Sequence, residues 1–311
     1  MHAHPTTAAP DAPFAGKVVV VTGASDGIGR AAVRRYLQGG ARVVMVGRNE
    51  AKTAAAANAM MSQSGRRDLE WDIADLSRQD AVHDLARRLR TRCPRIHVLA
   101  NNAGAMFLDR HVTVDGLEQT FALNHLSYFT LSLLLMPALV HASAPDAPAR
   151  IVNVSSRAHE NAKPALDDLQ MTRDFGGWRA YANSKLYNIW FTRALARRLD
   201  PARVNVQALH PGVVSTRFAT NNGRMGRALR RLMDVVSITP DEGADTLVWL
   251  STASEPLTES GRYWVKRTPR TPSRTARDDQ RAEQLWTQSV ALTRLDAEAL
   301  LTNAVRPDAH S

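Results

Sequence analysis

Cysteine is almost absent. The chain has 311 residues and one cysteine, Cys93, so no disulfide can form within it. Cys93 stands directly before Pro94, with no helix N-terminus or basic partner in view to activate it. It reads as a buried, inert thiol. Long apolar runs are missing too. No stretch reaches the roughly 18–20 uninterrupted apolar residues of a membrane-spanning helix; the most apolar segment, Phe129 to Val140, is shorter and contains Pro137. The opening MHAHPTTAAPDAPFAG lacks the basic-then-apolar pattern of an export signal. A cytoplasmic location is therefore expected, with residues 1–14 as a flexible leader.

Acidic residues are in deficit, with 40 Lys and Arg against 30 Asp and Glu and a formal net charge of +10. Such an excess raises the question of nucleic acid. Much of it sits in clusters: Arg87 to Arg90, Arg197-Arg198, Arg224 to Arg231, and Lys266 to Arg281. The first two lie among apolar residues at helical spacing and read as solvated helix faces. The last contains Pro269 and Pro272, few aromatics and no nucleic-acid motif, so specific nucleic-acid binding is not expected. No metal site is expected.

What is present is a regular alternation. Lys17–Thr22 (KVVVVT) is a β-branched run suited to a parallel strand buried on both faces. A helical stretch over 27–38 follows, then a strand at Arg42–Gly47, a helix over 49–63, a strand at Asp68–Asp72 and a helix over 77–91. The pattern continues with a strand at Ile96–Ala100, a long helical region over 115–142, a strand at Arg150–Ser155, a helix over 179–199 and a strand at Arg203–Leu209. A helix from Pro240 to Leu250 and a strand at Arg262–Val265 complete it. This order predicts an α/β fold: a single-domain, Rossmann-type, doubly wound parallel sheet of about seven strands with helices on both faces. The domain spans 15–265, and 266–311 is a basic C-terminal extension with a terminal amphipathic helix over 277–303, able to pack beside the site through Leu285 and Trp286. Ligands of such sheets bind beyond the carboxyl ends of the strands.

The first strand runs into TGASDGIG. Gly23, Gly27 and Gly29 let the backbone approach a pyrophosphate at the next helix's N-terminus, with Ser25, Asp26 and Ile28 completing the loop. The second strand ends at Gly47-Arg48-Asn49. A guanidinium there suits the 2′-phosphate of NADP(H), where NAD(H) would want a carboxylate; a solvated arginine is the plain alternative. NADP(H) is thus preferred, with NAD(H) as the lesser option. Asp72-Ile73 can meet the adenine, or Asp72 can cap the next helix. Asn102-Ala103-Gly104 allows close approach to a cofactor, although Asn and Gly also mark ordinary turns.

Tyr181 and Lys185, within YANSK, lie one helical turn apart. Taken singly, they could be an amphipathic pair, Ser156 a helix cap and Asn124 a satisfied amide. Taken with TGASDGIG, the NNAG at 101–104 and HPGVVST at 210–216, they give a chain that resembles the short-chain dehydrogenase/reductase family over nearly all of 15–265. NHLSYF at 124–129 and RIVNVSSRAH at 150–159 are similar to its retinol-dehydrogenase-like branch. The resemblance implies Tyr181 as general acid/base, Lys185 lowering its pKa and holding the nicotinamide ribose, and Ser156 binding the substrate oxygen. It implies Asn124 anchoring a relay water. Pro211, Gly212, Val213, Val214 and Thr216 are implied contacts of the nicotinamide end, with His210 structural. It further implies a carbonyl or alcohol substrate under a lid over 215–238, and a homodimer or tetramer; the lid's Met225, Leu229, Leu232 and Met233 share one helical face and suit a lipophilic substrate, while its arginines are open to facing solvent or to meeting an anionic group. A non-catalytic NADP(H)-sensing regulator of the same fold is the alternative.

Overall fold

The computed structural model describes residues 12–212 and 238–305. Eight strands form one sheet: β1 Val18–Thr22, β2 Arg42–Gly47, β3 Leu69–Ile73, β4 Val98–Asn101, β5 Ala149–Val154, β6 Val204–His210, β7 Tyr263–Val265 and β8 Thr268–Pro269. Their order is β3-β2-β1-β4-β5-β6-β7-β8. All neighbours pair in parallel except the two-residue β8, which turns back antiparallel on β7. The order reverses between β1 and β4, which places a ligand crevice beyond their carboxyl ends.

Strand periodicity builds the two faces. Val20, Val44, Leu99, Ile151 and Val206 point into one core, while Val19, Val21, Val43, Met45, Val98 and Val152 point into the other. Each such side chain stabilises the fold by about 1.5–3 kcal/mol when fully buried. Against the second face lie α1 Gly27–Gln38, α2 Glu50–Ser64 and α7 Pro240–Leu250. Against the first lie α3 Gln79–Arg92, α4 Gln119–Leu134, α5 Met136–Ala142, α6 Gly177–Ala196, α8 Asp279–Thr293 and α9 Ala297–Val305. Phe14, at the end of the expected leader, is buried and packs edge-on to Tyr36 with ring centroids 4.9 Å apart.

Three local differences from expectation have physical causes. The helical region over 115–142 breaks at Leu135, and its two parts meet at 56°. Pro137, near the start of α5, fits a helix N-terminus but not an interior. Within α4, Ala122–Leu126 winds as a π-helical turn, a local widening often found at functional sites. The terminal helix is two helices, because Arg294 adopts a left-handed conformation with φ 55° and turns the chain between α8 and α9.

Arg197 is exposed, as a solvated face requires, but it and the half-buried Arg198 also pair with Asp279 and Glu283 of α8, and Arg198 lies 4.1 Å from the Trp286 ring centroid. Trp286 also meets Phe129 edge-on at 5.0 Å and stacks on Phe191 at 6.3 Å. Cys93 is buried, and burial pushes its thiol pKa up, which fits an inert role. Among the described residues, no single helix is long and apolar enough to cross a membrane.

Candidate active site

The glycine loop is built by steric exclusion. Gly23 has φ +65° and Gly27 φ +52°, a region that disfavours any side chain. A Cβ on Gly23 would come 2.8 Å from the Ala103 Cα, and one on Gly29 would come 2.6 Å from the Asn102 Nδ2 and collide with the Gly23 carbonyl. The NNAG segment is thus the loop's floor. Asn102 donates its side-chain amide to the Thr22 carbonyl at 2.8 Å, and the Thr22 hydroxyl accepts the Asn102 and Ala103 backbone amides at 2.9 and 3.0 Å. Thr22 carries no signal in the sequence beyond its place before the loop. The half-buried Ser25 and Ile28 line the entry to α1, and Asp26 caps it by accepting from the Gly27 amide at 2.8 Å. This tight cradle at a helix N-terminus fits a pyrophosphate.

At the end of β2, Arg48 and Asn49 are exposed. Asn49 caps α2, accepting from the Lys52 amide at 2.9 Å. Among the described residues no ion pair holds Arg48. Asp72 differs from expectation. Its buried carboxylate accepts from Arg88 at 2.8 Å and Arg92 at 3.0 Å, and from the Ile73 amide at 2.9 Å. Those bonds fasten β3 to α3. The carboxylate is not the cap of the next helix, which begins after Arg78.

Three elements converge on the chemistry. Tyr181 and Lys185 come from α6, Ser156 from the turn after β5, and Asn124 from the π-helical turn of α4. The Ser156 side chain stands beside the Tyr181 phenol and favours its ionised form. The Ser156 hydroxyl also accepts the Ala158 amide at 3.2 Å, so it is a cap as well as a site residue. The Lys185 Nζ donates to the Val154 carbonyl at 3.1 Å and lies 5.6 Å from the Tyr181 ring centroid. Gly104 leaves room for this set, since a Cβ there would sit 3.3 Å from both the Asn124 Oδ1 and the Lys185 Nζ. Asn124 spends its side chain on structure: its amide exchanges 2.9 Å bonds with the Ala105 backbone and donates to Ser184 at 3.0 Å. Its side chain is therefore a clamp on the segment after β4.

Sequence reasoning missed several supports. The Ser155 hydroxyl donates to the Lys185 carbonyl at 2.6 Å, and Asn188 shares the Val154 carbonyl with Lys185 at 3.4 Å. Trp178 is exposed at the start of α6, 6.0 Å from the Tyr181 ring. Ser155 and Asn188 follow or precede motif residues, and nothing in their type marks them. His210 accepts the Arg157 amide at 3.3 Å and is held down to about 4 by burial and by Arg157, consistent with a structural imidazole. Pro211 and Gly212 follow it, and the positive φ of Gly212 (+99°) faces Ile238. Val213, Val214, Thr216 and nearly all of the expected lid lie outside the described residues.

Burial dominates the electrostatics. Lys185 is only 3 % exposed, and desolvation brings its pKa down from 10.5 to about 7. Desolvation also raises the Tyr181 phenol well above its ordinary value, with the Ser156 side chain opposing it. Both shifts disfavour the charged forms, so burial alone leaves the phenol protonated.

A doubly wound sheet with a glycine cradle at its switch point and a Ser–Tyr–Lys set beside it is the layout of a nicotinamide-dependent oxidoreductase. The family model described as short chain dehydrogenase matches residues 17–226, and the chain belongs to that family. It is an enzyme that acts on CH–OH groups of small molecules. It is 36 % identical to mouse retinol dehydrogenase 12 over 277 residues, covering 89 % of this chain and 86 % of the relative. It is 32 % identical to human retinol dehydrogenase 13, covering 92 % and 87 %, and 33 % identical to mouse polyprenol dehydrogenase, covering 90 % and 85 %. This places it in the retinol-dehydrogenase-like branch. Among solved structures it resembles an uncharacterized protein from Mycobacterium paratuberculosis, with a TM-score of 0.72, 31 % identity, and coverage of 90 % and 94 %. The Pseudomonas aeruginosa RhlG/NADP complex gives a TM-score of 0.65 at 26 % identity, covering 82 % and 96 %.

Proposed function

We propose that this enzyme interconverts the carbonyl and alcohol of a lipophilic small molecule with NADP(H), using Tyr181 as proton donor and acceptor. The observation that carries this reading is the Lys185 Nζ, pinned by the Val154 carbonyl at 3.1 Å, 5.6 Å from the centroid of the Tyr181 ring, with the Ser156 side chain beside the same phenol. When bound, the nicotinamide supplies or receives the hydride. Tyr181, kept protonated by burial, is poised to donate to a developing alkoxide. Ser156 offers a second hydrogen bond to the same oxygen. Lys185 supplies positive charge on the side from which the phenolate would be stabilised. Support for NADP(H) is the exposed Arg48 beyond β2; the P. aeruginosa structure, by its description, holds NADP. Support for a lipophilic substrate is the apolar wall of Met106, Leu108, Ala158 and Ala162 around Tyr181, and the relatives named for retinol and polyprenol. The cytoplasmic location is part of this proposal, and fractionation of cells with an antibody against the chain tests it.

The test is a panel of aldehydes, ketones and alcohols assayed with NADPH and NADP⁺. Tyr181→Phe should lower kcat by about 10²–10⁴-fold, the contribution of one positioned proton donor, while NADPH still binds. Arg48→Ala should shrink the NADPH/NADH selectivity ratio, and an unchanged ratio would end the NADP(H) reading. A parent enzyme that binds NADPH tightly and turns over nothing in the panel would favour the sensing role instead.

A further inference from the structure

We infer that the basic segment after β7 belongs to the reacting centre, and that His159 is the positioning residue that ties this segment to Ser156. The inference rests on the role proposed above for Ser156 and deepens it.

The stretch from Arg270 to Arg281 is fastened to the elements around Tyr181 and Ser156. The Arg270 amide donates to the Tyr263 carbonyl of β7 at 2.8 Å. The indole of Trp190, on the helix that carries Tyr181 and Lys185, donates to the Thr275 carbonyl at 2.9 Å. Arg281 donates to the Pro164 carbonyl at 3.1 Å, and Ala276 is fully buried. A further link reaches Ser156 itself. The His159 Nε2 lies 3.2 Å from the Ser273 amide nitrogen, and its Nδ1 lies 2.7 Å from the Ser156 carbonyl oxygen.

Those two partners leave the imidazole one arrangement. A backbone amide only donates and a carbonyl only accepts, so Nε2 accepts and Nδ1 carries the proton. The side chain is buried, and burial lowers its pKa, which keeps the ring in that neutral form. The Tyr263 ring packs against it at right angles, with centroids 5.1 Å apart. The carbonyl that His159 holds belongs to the residue whose hydroxyl is to meet the substrate oxygen, so a shift of one carries the other. Ser156 opens the short turn Arg157–Asn161, and its Oγ accepts the Ala158 amide at 3.2 Å. A single 3₁₀ turn has few bonds and poor bond geometry of its own. Its aim therefore depends on what grips it from outside, namely His210 at the Arg157 amide and His159 at the Ser156 carbonyl. Ser273 in turn fixes the far end of His159.

The experiment follows single-turnover oxidation of NADPH by decanal, or by the aldehyde of the panel above that the parent reduces fastest, which separates chemistry from release. NADPH affinity is read separately by fluorescence. Ser156→Ala is expected to slow the reaction by about 10²–10³-fold, the cost of one donor to a developing oxyanion. His159→Leu should slow it by about tenfold or more, within the reach of an ångström-scale displacement, and leave NADPH affinity unchanged. In the double variant the two losses should not multiply, because residues that act through one another are non-additive. Ser273→Pro removes the amide proton and Ser273→Ala keeps it, so the proline variant should be the slower by about threefold or more. A parent chain that reduces no aldehyde of the panel, or a Ser156→Ala variant as fast as the parent, would overturn the proposed role of Ser156 and this inference with it. A folded His159→Leu at the parent's rate would overturn the positioning role alone, as would losses that multiply in the double variant. Equal rates for the two Ser273 variants would overturn the part given to the C-terminal segment, and that comparison stands even where His159→Leu fails to fold.

Discussion

Lys185 works in a place that opposes its charge, and replacing it should make the protein sturdier while stopping it. Burial lowers its pKa from 10.5 to about 7. At about 1.36 kcal/mol per unit, that difference is a penalty on the order of 5 kcal/mol at neutral pH. Methionine is similar in length and carries no charge. It forfeits the bond to the Val154 carbonyl, worth about 1 kcal/mol. Lys185→Met is therefore expected to gain about 2–4 kcal/mol at pH 7, or several degrees of Tm at about 2 °C per kcal/mol. The pH dependence supplies the sign. Between about pH 7 and 10.5 the unfolded lysine holds a proton that the folded one has released, so parent stability climbs through that window. The advantage of the variant is then full below pH 7 and fades toward pH 10.5. Urea unfolding of both proteins at pH 7 and pH 9.5, with turnover measured in parallel, reads this directly. A variant less stable than the parent at pH 7, or a gap that is the same at both pH values, would refute the desolvation argument.

Gly29→Ala forces a Cβ into the Gly23 carbonyl and the Asn102 amide, and should weaken NADPH binding by tenfold or more while the Tm falls modestly; fluorescence titration checks it. Trp286→Ala empties the space between Phe129, Phe191 and Arg198 and should cost about 3–5 kcal/mol by urea unfolding. Asp72→Asn leaves Arg88 and Arg92 without their shared anion and should destabilise the fold by about 1–3 kcal/mol, with ADP affinity unchanged within twofold.

The sheet was legible because its signal is local. A valine run followed by glycines announces a buried strand and a close backbone approach, and both are found at β1 and its loop. Tyr181 and Lys185 were legible because a four-residue spacing on a helix decides their neighbourhood. What escaped depends on residues far apart in the chain. The guanidiniums of Arg88 and Arg92 arrive from α3 to claim Asp72, and Arg197 and Arg198 find acids about eighty positions later. The π-helical turn at Asn124 gives no compositional cue. The break after Leu135 had one in Pro137, but Arg294 turns the chain where glycine would be usual. Spacing reveals that Tyr181 and Lys185 are close, and only packing reveals how much water is gone from around them.

The C-terminal helices bear on the order in which this molecule can be finished. Leu285 and Trp286 fill gaps against α4 and α6, and Ser289 lies 3.1 Å from the imidazole of His125, the residue beside Asn124. The two helices that carry the reacting groups therefore lack part of their core until residues near 290 have been made. Synthesis delivers the nucleotide-binding half early and withholds a firm catalytic half until late, so a chain cut short before α8 is expected to hold cofactor without a settled centre to use it.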